Sequence, residues 1–228
     1  MIPKRVTLFA GHYGSGKTNI AVNYALWLHW KGYPTAIADL DIVNPYFRTK
    51  DSEEELLAAG IPLIASPYAG SNIDLPALPQ ELYSLVERRD RYAVMDIGGD
   101  DRGAYALGRY TPYILKENDY EMVFVVNFYR PLTRTPADAL EIMREIEVAG
   151  GIRFTAIANN SNIGWDTTPE NVLDTMDKVQ ELAKLAAIPV GMTCAEEKVA
   201  EELAAGGITI PELFPLKLQK KYFDVKES

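Results

Sequence analysis

The chain has 228 residues, of which 47% are hydrophobic and 24% charged, enough to bury one full core, and no linker, repeat or low-complexity stretch divides it. A net charge of −9 argues against broad, salt-sensitive attachment to nucleic acid, and no apolar run approaches the ~20 residues a membrane span needs. A lone cysteine, Cys194, excludes an internal disulfide and a thiolate-rich metal site, and with no leader-like segment before the first strand the expected location is cytoplasmic.

The predicted elements alternate strand and helix. A first strand, Val6–Ala10, leads through a glycine-rich turn into a helix over Asn19–Lys31, which places Ile20, Ala21, Tyr24, Trp27 and Leu28 on one stripe and stops at Gly32. Trp27 and Trp30, three residues apart, are expected to fill the core or an interface. Strands follow at Thr35–Asp39, Leu63–Ala65 and Tyr92–Ile97, and the stretch Ser66 to Pro79, with Ile73, Leu75 and Leu78, reads as an ordered loop. After a strand at Met122–Asn127, the spacing of Ala139, Leu140, Met143 and Ile146 predicts a helix over Pro136–Ala149. Beyond a strand at Phe154–Asn159, Thr168-Pro169 reads as an N-cap and first helical position opening Glu170–Ala186. A short strand at Ile188–Gly191 and an acidic helix at Ala195–Ala205 precede the mixed stretch LFPLKLQKKYF. Pro215 interrupts that stretch, which is read as a packed C-terminal strand or arm rather than a membrane-binding helix.

Most strands are continuous apolar runs, as parallel strands covered on both faces require. The fold expected is therefore a single α/β domain over residues 1–228, three layers deep, with a doubly wound, mainly parallel sheet. Ligands of such sheets lie at the carboxyl ends of the strands.

That edge carries GHYGSGKT, which matches G-x-x-x-x-G-K-[ST] between a buried-type strand and an amphipathic helix. Gly11, Gly14 and Gly16 allow backbone N–H groups to close around phosphate oxygens, and the helix start adds the positive end of its dipole. Lys17 is expected to reach the β- and γ-phosphates and Thr18 to ligate Mg²⁺, with Ser15 and Asn19 completing the nucleotide-binding run. Asp96, at the end of YAVMDI, is a candidate Mg²⁺ ligand through water, and Gly99 a backbone donor to the γ-phosphate. Asp39 and Asp41 end the second strand at the same edge. Asp41 is the candidate for orienting the attacking water and Asp39 a candidate metal contact; the plainer reading of both is a turn cap. Arg130 and Arg134 follow another strand end and read more simply as solvated arginines than as phosphate ligands.

These three elements, in this order, resemble the MinD/ParA superfamily of P-loop ATPases, the class that includes the nitrogenase iron protein and the arsenite-pump ATPase. Asp39-Leu40-Asp41 is similar to that family's first switch, in which the second aspartate positions water, and the resemblance places that role on Asp41. Asp96 to Asp100 is similar to the second switch of the iron protein. The resemblance implies ATP as nucleotide and Asn160, in ANNSN, as the base-binding asparagine, with the loop after Val190 covering the adenine. Within the superfamily the sequence is similar to a group of bacterial ATPases that share the NPYFR and DIGGD stretches. It departs in two places. The signature lysine that reaches across the family's dimer is His12 here, which supplies no fixed charge at pH 7. The iron protein's cluster-ligating cysteine falls at Gly103, so a cluster of that type is excluded.

The leading expectation is a Mg²⁺- and ATP-dependent switch with slow ATPase activity, acting through a protein partner and compatible with a homodimer. An ATP-dependent small-molecule ligase of the dethiobiotin synthetase or cobyrinate amidase type is the alternative, with the loop from Pro67 to Pro79 helping to form the substrate pocket. A metal-delivering GTPase is weakened by the absence of N-K-x-D and by the presence of only two histidines. A nucleotide binder that does not hydrolyse is the non-enzyme reading.

Overall fold

The computed structural model of the chain describes residues 2–41, 52–65, 80–99 and 101–219. The NPYFR stretch, the expected loop at 66–79, Asp100 and residues from 220 onward lie outside that set.

The described strands are β1 (Val6–Ala10), β2 (Thr35–Leu40), β3 (Leu63–Ala65), β4 (Tyr92–Ile97), β5 (Tyr120–Val126), β6 (Ala156–Asn159), β7 (Val190–Glu196) and β8 (Leu213–Leu216). They form one sheet in the order β3-β2-β4-β1-β5-β6-β7-β8, and every described pairing is parallel. The chain moves outward from β1 through β2 to β3, returns to insert β4 between β2 and β1, and then builds the other half from β5 to β8. β1 thus sits where the winding reverses, and the crevice above its carboxyl end is the ligand position of such a sheet.

Side chains of β1 alternate between the two faces, as a pleated strand requires. Phe9 joins Ile37, Val94 and Val125 against α1 (Lys17–Trp30) and Leu56 of α2 (Glu53–Ala58). Val6, Leu8 and Ala10 point the other way, with Met95 and Phe124. That face is covered by α3 (Gln80–Glu87), α4 (Asp101–Gly108), α5 (Thr111–Glu117), α6 (Pro136–Gly150) and α8 (Met176–Ala186). The layers are helix, sheet, helix, as the apolar runs require. α7 (Pro169–Leu173) and α9 (Glu197–Ala205) enclose a smaller cluster around Val199 and Leu203.

The structure corrects several sequence expectations. The single helix Glu170–Ala186 is two, because Thr175, 2% exposed, turns inward between them. Its hydroxyl donates to the Val172 carbonyl at 2.9 Å and accepts from Asn159 Nδ2 at 3.0 Å. The Thr168-Pro169 start holds, with a reciprocal capping box between Thr168 and Asn171. β7 runs on to Glu196, past the expected end at Gly191, because its last residues pair with β8 from Thr193↔Leu213 to Glu196↔Leu216. Trp27 stacks on Tyr24 as expected, but Trp30 is 67% exposed and is no part of the core. Among the described residues, no helix is long and apolar enough to cross a membrane.

Candidate functional site

The glycine-rich turn leaves β1 at the reversal point and opens α1. Gly14 and Gly16 adopt φ of +77° and +85°, a left-handed conformation that disfavours any side chain. Gly16 is needed twice over, because a Cβ there would lie 2.2 Å from Asn160 Nδ2. At Gly11 a Cβ would lie 2.2 Å from the Val125 carbonyl oxygen. No side chain caps the start of α1 and no acidic residue occupies its first turn, so the positive end of the helix dipole faces the turn. The Ser15 N–H is already committed to the His12 carbonyl at 3.1 Å.

Lys17 and Asp41 meet at this edge. Lys17 Nζ lies 3.3 Å from Asp41 Oδ2, with both side chains almost wholly buried. Asp39 Oδ1 accepts from the Asp41 N–H at 2.9 Å, which turns the chain at the end of β2. Asp39 stands in register with Asp96 across the β2–β4 pair, and Phe9 with Asp96 across β1–β4, so both carboxylates share the carboxyl edge with the cradle. Thr18 and Asp96 are buried. Among the described residues no group of three or more His, Cys, Asp or Glu side chains forms a metal cage. A Mg²⁺ site built on few protein ligands, with nucleotide oxygens and water completing it, does not need one.

Gly99, three residues after Asp96, packs on the cradle itself. A Cβ at Gly99 would lie 2.8 Å from the Tyr13 nitrogen and 2.9 Å from the Gly11 carbonyl oxygen. Beneath it, a Cβ at Gly103 would lie 2.4 Å from the Gly98 Cα, so the position aligned with the cluster cysteine admits no side chain without movement. Cys194 is buried in the sheet, and burial pushes its thiol pKa up, which leaves it inert as a nucleophile or ligand.

Asn160 is 4% exposed and its Nδ2 donates to the Ser15 carbonyl at 2.7 Å, bracing the phosphate turn. The asparagine-rich exits of β5 and β6 form a wider brace: Asn127 Nδ2 donates to the Asn162 carbonyl, and Asn162 Nδ2 to the Asn160 carbonyl. Arg130 is exposed but anchored, its Nε donating to the Gly14 carbonyl at 2.9 Å, whereas Arg134 is simply exposed. His12 Nδ1 lies 3.0 Å from the Tyr13 carbonyl oxygen.

A cleft of about 330 Å³ opens beside this turn, lined by Lys17, Thr18 and Asn19 on one side. Gly14, Gly16 and Asn160, all sequence candidates, also line it, as does Arg130; the wall beyond them was not legible in the motifs, with Asn162 and Trp165 coming from the segment after β6, and Leu216 and Gln219 from the end of β8 and its exit. The segment after Val190, expected to cover the base, is strand instead and contributes nothing to the lining. The missed signal was Trp165, a tryptophan in a polar, glycine-containing turn shortly after Asn160.

No protein-family model and no curated protein matches the chain. Solved structures do. The cell division protein FtsY from Thermotoga maritima superposes with a TM-score of 0.58 at 16% identity, over 87% of this chain and 63% of that one. The signal recognition particle 54 kDa protein from Aeropyrum pernix K1, in complex with GDP, gives 0.53 at 16% identity, over 85% and 41%. The signal recognition particle receptor FtsY from Elizabethkingia anophelis, in complex with GDP, gives 0.50 at 17% identity, over 85% and 57%. The chain therefore spans less than two thirds of the length of these structures. At such identities the likeness establishes the fold alone, a parallel α/β sheet covered by helices on both faces.

Proposed function

We propose that the chain is a Mg²⁺-dependent nucleoside-triphosphate-binding protein that hydrolyses its nucleotide slowly and acts as a switch for a protein partner. The observation that carries this reading is the pairing of Lys17 with Asp41 inside the turn. The lysine that would hold the β- and γ-phosphates is held by the carboxylate that would position water. A triphosphate takes over as the counterion of Lys17 and releases Asp41, so binding and the state of the β2 exit are linked through one charge. Asp96 and Thr18 hold Mg²⁺ in this reading, with Asp39 supporting from the neighbouring strand. Gly99, packed on Gly11 and Tyr13, carries the state of the γ-phosphate to α4.

ATP is the nucleotide proposed, in line with the MinD/ParA resemblance. No carboxylate lines the described cleft to accept the N1–H and 2-amino group of a guanine. GTP is the second reading, favoured by the GDP complexes among the structures of like fold. The ligase alternative turns on a substrate pocket from Pro67 to Pro79, outside the described residues.

The test is Mg²⁺-dependent binding and phosphate release with ATP and with GTP, for the wild-type chain and Lys17→Ala. The variant is expected to lose most nucleotide affinity; equal affinity and turnover in the two proteins would remove the site assignment.

A further inference from the structure

The cleft beside the phosphate turn carries a second cation that the switch reading does not use. Among the described residues that line it, Lys17 and Arg130 alone are charged. Lys17 is buried and shares its charge with Asp41, and the carboxylates of Asp39 and Asp96 are buried at the same sheet edge. Arg130 is exposed, yet its guanidinium is tied down at one point. Its Nε donates to the Gly14 carbonyl at 2.9 Å, the one hydrogen bond this side chain makes among the described residues. The remaining donors of the fork, on Nη1 and Nη2, therefore stand beside the turn with their charge undiminished.

The backbone beneath Arg130 is fixed as well. Asn127, 1% exposed, organises the exit of β5: its Oδ1 accepts from the Tyr129 N–H at 2.9 Å, and its carbonyl accepts from the Arg130 N–H at 3.1 Å and from Thr133 Oγ1 at 2.7 Å. The Phe128 N–H donates to Ser161 Oγ at 3.0 Å, and the Tyr129 hydroxyl to the Asn171 carbonyl at 3.0 Å. Arg130 itself is extended, and Pro131 follows it. An arginine held at both backbone and Nε loses little further freedom on meeting an anion, which is the preorganisation that stabilising a transition state requires. Bracing alone does not call for a cation, since Asn160 braces the Ser15 carbonyl with a neutral carboxamide. Arg134, from the same segment, does not line the cleft.

We propose that Arg130 is a catalytic residue acting within its own chain: held on Gly14 through Nε, it presents its Nη donors to the triphosphate oxygens and stabilises the charge that develops during hydrolysis. This rests on the nucleotide reading of the cleft. In that step the water oxygen bonds to the γ-phosphorus while the bond from that phosphorus to the β–γ bridging oxygen breaks. The electron pair stays on the leaving diphosphate; one water proton stays on the new phosphate and the other passes to solvent. No second copy of the chain is needed to complete the site.

The experiment measures affinity and kcat for Mg²⁺-ATP in the full chain, with GTP in its place if GTP is the nucleotide bound. Arg130→Ala is expected to lower kcat about 10²–10³-fold, the scale of one preorganised donor, while Kd changes by less than about threefold. Arg130→Lys, which keeps the charge without the fork, should recover only part of the loss. Added guanidinium ion should raise the rate of Arg130→Ala and leave the wild type unchanged; absence of rescue would reduce Arg130 to a brace of the turn and overturn the proposal. So would weaker binding at unchanged kcat, or a wild-type chain that binds nucleotide but does not hydrolyse it alone. Mixing Arg130→Ala with Lys17→Ala should restore nothing, because neither chain holds a complete site; restored turnover would place Arg130 in a partner's site and overturn its action within the chain. Failure of the nucleotide reading is seen separately and first, as absence of ATP and GTP binding by the wild-type chain, and it takes this role of Arg130 with it.

Discussion

Asp41→Ala is the most informative single change, because the free and nucleotide-bound proteins should respond to it in opposite ways. Lys17 and Asp41 stand 3.3 Å apart with side chains 4% and 3% exposed. At an effective dielectric of about 20 their gross attraction is about 5 kcal/mol. Removing the carboxylate strands a buried ammonium, at a cost of about 3–5 kcal/mol. For a domain of this size that lowers Tm by about 10 °C. Saturating nucleotide supplies phosphate oxygens to the same ammonium, so the deficit should shrink, and the affinity for nucleotide should hold or rise because an internal competitor is gone. Phosphate release should be lost, since Asp41 no longer orients water. The assay is differential scanning calorimetry of wild type and variant, each with and without Mg²⁺-nucleotide, beside single-turnover phosphate release. An equal Tm deficit in both conditions would refute the exchange of counterions at Lys17.

Three further changes probe the frame around this pair. Gly99→Ala places a Cβ within 2.9 Å of two backbone atoms of the phosphate turn. It should cost about 1–3 kcal/mol of strain, read as weaker nucleotide binding by calorimetry with the fold kept by circular dichroism. Arg5→Met removes a buried guanidinium that pairs with Glu117 and donates to the carbonyls of Leu85, Val86 and Arg88. With Glu117 left buried and unpaired, urea unfolding should show a loss of about 3–5 kcal/mol, recovered only in part in Arg5→Met/Glu117→Leu, because the carbonyls that Arg5 served still lose their donor. Burial pushes Tyr24 and Tyr110 each from the usual 10.0 up to about 12. A raised pKa means that the folded state holds the proton more tightly. The stability they contribute is intact below pH 10 and is lost as pH rises from there through about 12. Tyr24→Phe should flatten part of that alkaline loss in a Tm-against-pH series; an unchanged slope would count against it.

Much of the molecule was legible because its signals are local. β1, β3 and β4 fall on the predicted residues, since continuous apolar runs bounded by turn residues specify buried parallel strands without reference to partners. The phosphate turn is legible for the same reason: Gly14 and Gly16 announce their positive φ by having no Cβ. Where an end is set by a partner the reading slips. β7 runs past Gly191 because β8 pairs with its last residues, and the helix expected to begin at Ala195 starts at Glu197. Trp30 sits three residues from Trp27 on α1 yet is exposed, whereas Trp27 packs on Tyr24 and Phe214, a difference that spacing alone does not encode.

The sequence by itself determined a phosphate turn between a buried strand and a helix, the acidic residues at two strand ends, and an α/β core to carry them. Each is a matter of residue type at short spacing. Tertiary structure alone decided that β4 lies between β1 and β2, setting Asp96 beside Asp39. It also decided that Lys17 is held by Asp41, that Asn160 braces Ser15, and that the exit of β8 returns along α1 to form the second wall of the cleft. Asn160 and Ser15 are separated by 145 residues, and Gln219 and Asn19 by 200. Nothing in the local pattern of either partner encodes such a meeting; it follows from the order in which the strands pack to bury both faces of one sheet.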